Sequence, residues 1–273
     1  MKNIEKYQKL IAKGEVDALL LTSKHNRQYA AEYCIAEGVA VICKTQSYYF
    51  TDFRYIESAQ KNLPGFAVKM VDTEHPYTKL NAVLHPYAAE INAPRASKEP
   101  WEIEYMKKAQ EITDRTFDDL LNVIHPGMTE KELCAELIYR LYKYGSEGPS
   151  FDPITVSGPS LPHGVPSERV LQYGDFVTMD FGCLYHGYCS DMTRTIALGY
   201  VSEKMDKVYH TVLEAQLAGI AVTKAGVAGR EMDAAARNVI NAAGFEGLFG
   251  HSYGHSLGLL IHEGPYANTR NDK

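Results

Sequence analysis

Two acids carry the strongest chemical signal in this chain. Asp180 lies in Val177-Thr178-Met179-Asp180-Phe181-Gly182, and Asp191 lies in Cys189-Ser190-Asp191-Met192-Thr193. The two stretches read as strands of one hairpin. A tight turn at Tyr185-His186, closed by Gly187, predicts that the two acids stand directly opposite each other. Opposed residues on paired strands hold their Cβ atoms about 5 Å apart. Two carboxylates at that separation repel, and burial among Val177, Phe181 and Ile196 would raise the cost. A divalent cation between them removes the repulsion, and hard carboxylate oxygens suit manganese, magnesium, cobalt or zinc. The bland alternative is a pair of solvent-facing aspartates on a surface hairpin.

The histidines shift the balance toward a metal. His251, His255 and His262 fall within twelve positions and are interleaved with Gly250, Gly254 and Gly258. Glycines let the backbone approach closely and turn sharply. A neutral imidazole is the commonest metal ligand, and one beside an activated water can shuttle protons. His163 sits between Pro162 and Gly164, again in a loop between elements. A lone histidine is more often structural; four near glycine-rich turns, beside an aspartate hairpin, point to a site. Ser190 and Cys189 precede Asp191, but with no GxSxG elbow they read as strand residues rather than nucleophiles.

The elements that must position these groups are legible as patterns. Asn3 to Lys13 has helical periodicity, Asp17 to Thr22 is an apolar strand, and Gly38 to Cys43 with Ser47 to Thr51 form a hairpin across Lys44-Thr45-Gln46. Phe53 to Lys61 returns to a helical pattern and Phe66 to Val71 to a strand. The stretch from His75 to Pro94 shows no long period. A boundary near Pro94 to Lys98 predicts a domain over 1–95 and another over 96–273. Ser97 and Pro100 open a long helix to about Ile124, stopped by His125-Pro126-Gly127. Thr129-Glu130-Lys131-Glu132 is a capping box for a second helix, which ends near Gly145. Pro153 to Gly158 reads as a strand. Ser202 caps a helix to about Lys224, Gly229 to Ala243 forms another, and Gly254 to Gly258 begins a strand. Long helix, glycine break, shorter helix and His-bearing strand thus occur twice, a weak internal duplication. The first copy ends in the aspartate hairpin, and the second reaches Lys273 before any such hairpin.

Composition sets the outer limits. The 273 residues suffice for one large or two modest domains, and 45% hydrophobic with 23% charged residues suits a soluble globular protein. A net charge of -6 disfavours nucleic acid and anionic membranes, and no apolar run approaches the ~20 residues of a membrane span. The N-terminal residues lack a signal-peptide apolar stretch. Five scattered cysteines indicate neither a disulfide framework nor a zinc knuckle, which fits reduced thiols in a cytoplasmic protein.

Taken together, Asp175 to Gly182, Gly187 to Thr195, Pro162-His163-Gly164-Val165-Pro166, and Gly254-His255-Ser256-Leu257-Gly258 through His262-Glu263 resemble the pita-bread metallopeptidases. That family includes Xaa-Pro aminopeptidase, prolidase, methionine aminopeptidase and the metal-free creatinase. The N-terminal stretch, with Thr51-Asp52-Phe53-Arg54-Tyr55, resembles the extra domain of the Xaa-Pro and creatinase branch. The resemblance implies an α+β pita-bread catalytic domain behind a smaller α/β creatinase-like domain. It implies that Asp180 binds one metal, Asp191 bridges two, and His255 binds the second. His163 and His262 would position substrate and handle charge on the tetrahedral intermediate, and His251 would support them or contact substrate. Two divalent ions (Mn, Co or Zn) are expected, with a metal-bridging hydroxide attacking a carbonyl that a metal polarises. Substrates would be proline-containing peptides, selected because proline nitrogen has no hydrogen to donate. A homodimer is also implied.

The chain departs from that pattern in the ligand set, at Leu260 and in the stretch His75 to Pro94, which is shorter than in the family's N-terminal domain. The family completes its site with two glutamates on strands after the His-Glu-Gly-Pro segment, whereas here Glu263 is the last glutamate and Lys273 lies eight residues after Pro265. Glu263 matches the His-Glu pair of the motif and is not a ligand candidate. Leu260 stands where relatives often carry an acid. The expectation is a C-terminally truncated relative that binds one ion weakly or none, with weak or no activity. A non-catalytic pita-bread binding module and a metal-free, creatinase-like hydrolase are the alternatives. Metal content separates them from the peptidase.

Overall fold

A computed structural model describes residues 2–34, 37–71, 87–159 and 164–272. The chain divides into two compact units, Met1–Trp101 and Glu102–Lys273.

The first unit is built on a four-stranded sheet of order β1-β2-β3-β4: β1 (Ala18–Leu21), β2 (Val39–Cys43), β3 (Ser47–Thr51) and β4 (Ala67–Met70). The first three are antiparallel, with Ile42 opposite Ser47 across the expected turn; β4 lies parallel to β3. Alternate burial along β2 and β3 follows the strand period of two. Helix α1 (Asn3–Ala12) lays Tyr7 and Ile11 into the core, and Tyr7 meets Tyr29 edge-on at 5.7 Å. Tyr29 belongs to α2 (Lys24–Ala31), a helix absent from the sequence reading. Its composition is polar, so it shows no apolar period; the missed signal was Ser23, whose hydroxyl accepts from the Asn26 amide. Helix α3 (Ile56–Asn62) is shorter than its pattern, and α4 (Ala88–Asn92) occupies part of the stretch read as irregular. Residues 72–86 of that stretch lie outside the described residues.

The second unit begins with α5 (Pro100–Leu120) and α6 (Glu130–Lys143). The capping box forms as expected: Thr129 Oγ1 accepts from the Glu132 amide, and the Glu132 carboxylate accepts from the Thr129 amide. Leu133, Leu137 and Leu141 recur down one face of α6 and are fully buried. They pack with Val177, Met179 and Phe181 from a three-stranded antiparallel sheet, β5-β6-β9. Its strands are β5 (Ile154–Ser157), β6 (Phe176–Phe181) and β9 (Met192–Ala197). Truncating one such leucine to alanine typically costs about 2–5 kcal/mol, so this core holds β6 firmly.

Between β6 and β9 the chain makes a small ribbon, β7 (Leu184–Tyr185) with β8 (Tyr188–Cys189). Helices α7 (Glu203–Val222) and α8 (Gly229–Ile240) follow and pack through Ala215, Ala236 and Ile240. Ser202 caps α7 as expected, accepting from the Met205 amide. A final two-stranded antiparallel sheet pairs β10 (Gly254–Ser256) with β11 (Glu263–Ala267).

Candidate metal centre

The aspartate hairpin forms, with a register that differs from the expected one. The turn centres on His186-Gly187, both with positive φ (48° and 76°), the geometry of a tight two-residue hairpin loop. That moves the pairing along. Asp180 faces Thr193, Phe181 faces Met192, and the same register carries Asp191 to the position across from Gly182. The acids are therefore not directly opposite but diagonal on one face, a spacing of roughly 7 Å between such positions. The expected burial among Val177, Phe181 and Ile196 also fails. Val177 and Phe181 alternate onto the core face, with Ile196 paired to Val177, whereas Asp180 shares its face with Thr178 and Thr193.

Gly182 explains how Asp191 is placed. A Cβ at this position would meet the Ser190 carbonyl oxygen at 1.9 Å and Ser150 Oγ at 2.5 Å. Only a glycine lets the strand before Asp191 pass this close. Ser190 is itself fixed: its Oγ lies 2.6 Å from Thr113 Oγ1 and accepts from the Cys183 amide, while its carbonyl accepts from Ser150 Oγ. Burial, with the charges of Glu263 and Asp191 nearby, pushes the Cys189 thiol up to about 12. Neither side chain is poised as a nucleophile.

Asp191 is half-buried. Burial raises its carboxyl pKa above the ordinary value, the charge of Asp180 adds to the rise, and His255 and His262 oppose it. His255 Nε2 lies 3.5 Å from Asp191 Oδ2. The Nδ1 of the same ring faces the Ser256 carbonyl at 3.1 Å. A proton on Nδ1 makes that bond and leaves an Nε2 lone pair aimed at a carboxylate, an arrangement that asks for a cation between them. The His262 ring stands 4.3 Å from that of His255, centroid to centroid, and is exposed. The sheet register shifts between His255 and Ser256, the kind of irregularity that re-aims a side chain. One backbone bond ties the two halves together: the Cys189 amide donates to the Gly258 carbonyl at 2.7 Å. Nothing in composition or spacing announces that bond.

Of the residues singled out from sequence, Asp180, Asp191, His255 and His262 come together electrostatically. His251 does not join them in any described contact. It is exposed, with its Nδ1 at the Ser252 carbonyl and its ring against Phe249. His163 lies outside the described residues. The glycines were expected to give close approach in the His segment; at Gly250 and Gly254 a Cβ would meet open space, whereas at Gly258 the backbone does come close, to the Cys189 amide. Glu263 is buried and accepts from the Leu260 amide, consistent with a structural place in the motif. Two carboxylates and an imidazole fit a divalent cation in the chemistry of their donors. Among the described residues no three His, Cys, Asp or Glu side chains close around one point. The Asp191–His255 gap is where such an ion would be held.

Comparison with known proteins agrees with this reading. The description "Metallopeptidase family M24" matches residues 104–273, and "Creatinase/Prolidase N-terminal domain" matches residues 3–124. The uncharacterized peptidase YqhT of Bacillus subtilis is 35% identical over 300 residues, covering 98% of this chain and 85% of that protein. A Pyrococcus horikoshii Xaa-Pro dipeptidase is 32% identical, over 96% of this chain and 83% of its own length. Among solved structures, a Bacillus anthracis Xaa-Pro dipeptidase superposes with a TM-score of 0.93 at 37% identity, covering all of this chain and 86% of that one. The pita-bread fold with a creatinase-like N-terminal domain is thereby shown, and the chain belongs to metallopeptidase family M24.

Proposed function

We propose that this protein is a metal-dependent peptidase that hydrolyses Xaa-Pro bonds. The observation that carries the reading is the Asp191 carboxylate, half-buried beside a second acid and facing the Nε2 of His255 at 3.5 Å. The relatives named as Xaa-Pro dipeptidases and aminopeptidases support the substrate class.

Asp180, Asp191 and His255 are the residues that would hold a divalent cation, with manganese, cobalt and zinc all compatible with the donors. A bound cation supplies Lewis acidity toward a carbonyl and toward water. His262, exposed and with its ring beside that of His255, would accept or return a proton. His163 is assigned the companion role on motif alone, and His251 would support these groups or contact substrate. Proline selection would rest on shape, since its nitrogen offers no hydrogen. We further assign the domains as 1–95 and 96–273. A cytoplasmic homodimer is the setting we infer; among the described residues no helix is long and apolar enough to cross a membrane.

With two acids and one imidazole near one another among the described residues, and no three donors closing around one point there, cation binding is expected to be weak and turnover low. The test is hydrolysis of an Xaa-Pro dipeptide with added Mn2+, with bound metal measured by elemental analysis. Slow hydrolysis that requires Mn2+ supports the peptidase. A chain that folds, binds no cation even at millimolar Mn2+ and leaves the peptide intact is instead a binding module, the reading favoured by the open arrangement of the donors.

A further inference from the structure

His255 owes its place to a side-chain tether that lies outside the metal-binding set. The segment leading into it, Phe249-Gly250-His251-Ser252-Tyr253-Gly254, carries two glycines and precedes a strand of only three residues. Such a stretch has little intrinsic preference for one conformation. It is fastened to α7 and α8 at several points. Asp233, on α8 and 1% exposed, accepts from Arg237 Nε at 2.8 Å and Nη2 at 3.0 Å, and from the Tyr253 amide at 3.0 Å. Arg237 in turn donates Nη1 to the Phe249 carbonyl at 2.6 Å and Nη2 to the His251 carbonyl at 2.9 Å. Its guanidinium also stacks 4.4 Å from the Phe249 ring centre. The Tyr253 hydroxyl donates to the Gln216 carbonyl on α7 at 2.9 Å. Its ring lies so close over Gly219 that a Cβ there would come within 2.2 Å of it.

Each contact falls between two and six residues before His255, and together they grip Phe249, His251 and Tyr253. Arginine suits the task because a planar fork can serve a carboxylate and two carbonyls at once, whereas a lysine ammonium cannot match that geometry. Asp233 is the complementary half: being buried, it needs the guanidinium, and its Oδ1 accepts from the Tyr253 amide as well as from Arg237.

We infer that Asp233, Arg237 and Tyr253 are positioning residues for the metal-binding imidazole of His255. They set the approach of Nε2 to Asp191 without touching the cation. The inference rests on the metallopeptidase reading above and adds to it a cause for the placement of one ligand. Outer groups that orient a metal-binding histidine typically change metal affinity by about 10- to 100-fold when removed.

The test is titration of the full chain with Co2+, followed by calorimetry and by the visible absorption of the bound ion, alongside thermal denaturation. The unmutated chain is compared with Arg237→Lys, Asp233→Asn and Tyr253→Phe. Leu19→Ala, in the core of the first unit, serves as a destabilised control. Arg237→Lys and Asp233→Asn are expected to weaken Co2+ binding about tenfold or more and to alter its absorption band. Tyr253→Phe should weaken it about threefold, and Leu19→Ala should lower the melting temperature with affinity and spectrum unchanged. Arg237→Lys that folds and binds Co2+ like the unmutated chain overturns the inference alone. Should Arg237→Lys and Asp233→Asn fail to fold, Tyr253→Phe decides: unchanged affinity and an unchanged band overturn it. Absence of Co2+ binding by the unmutated chain overturns the metallopeptidase reading, and the inference falls with it.

Discussion

The two halves of the metal centre are built by different means. Of the two aspartates, Asp180 rides on a regular antiparallel ladder whose back face is the main core of the second unit, with Val177, Met179 and Phe181 fully buried beneath α6, and Asp191 directly precedes strand β9 of that ladder. Their placement is steric: a two-residue loop sets the register, and the Ser190 backbone against Gly182 sets the approach. The imidazole rides on a three-residue strand with an irregular register and a glycine-bearing approach, held by hydrogen bonds from neighbouring helices. Packing makes a site rigid at the cost of tolerating no added atoms. Tethering leaves room for substitution and depends on a few polar groups. The same kind of residue, glycine, therefore has opposite meanings in the two halves.

Gly182→Ala tests the steric half most severely. The added methyl overlaps the Ser190 carbonyl, so the strand must move, and a loss of roughly 3 kcal/mol of stability is expected from overpacking. Mn2+ binding should fall with it. Chemical denaturation and metal titration would check both, and an alanine variant as stable as the parent would show that the hairpin is looser than its geometry implies.

Asp191→Asn comes next. Cation affinity should drop about a hundredfold or more as a charged ligand is lost. Without metal the variant should be at least as stable as the parent at neutral pH, because burial and the charge of Asp180 both disfavour the Asp191 carboxylate. The sign follows from linkage. A carboxyl whose folded pKa is raised supports the fold while protonated, and that support is lost as pH rises through the folded value. The metal-free parent should lose stability as pH climbs above the ordinary Asp range near 3.8, and Asp191→Asn should lose less. Added Mn2+ should reverse the trend in the parent only. Melting curves with and without Mn2+ across pH 4–8 would settle it.

Gly254→Ala is the smallest effect and the sharpest contrast. Its Cβ would meet open space and its φ is ordinary, so stability should change by less than about 1 kcal/mol and metal affinity by less than threefold. A large loss at Gly254, measured as for Gly182, would erase the distinction between the halves.

Much of the architecture was legible before any coordinates. The capping box at Thr129, the Ser202 cap, the alternation in β2, β3 and β6, and the hairpin that closes at Gly187 all act over a few residues, where local rules operate. Helix α2 escaped because its polar composition carries no period, and its only flag was a single capping serine. The one-position error in the turn shows how local the remaining ambiguity was. Moving its centre from Tyr185-His186 to His186-Gly187 took the acids from opposite to diagonal.

From the order of residues alone came the proposed donors, Asp180, Asp191 and His255, and the kinds of element that carry them, because residue type and short-range periodicity are properties of the chain itself. The distance between those donors belongs to the tertiary structure. It depends on the Cys189–Gly258 backbone bond and on the bonds that Asp233 and Arg237 make to Phe249, His251 and Tyr253, contacts between different elements whose partners no local pattern names.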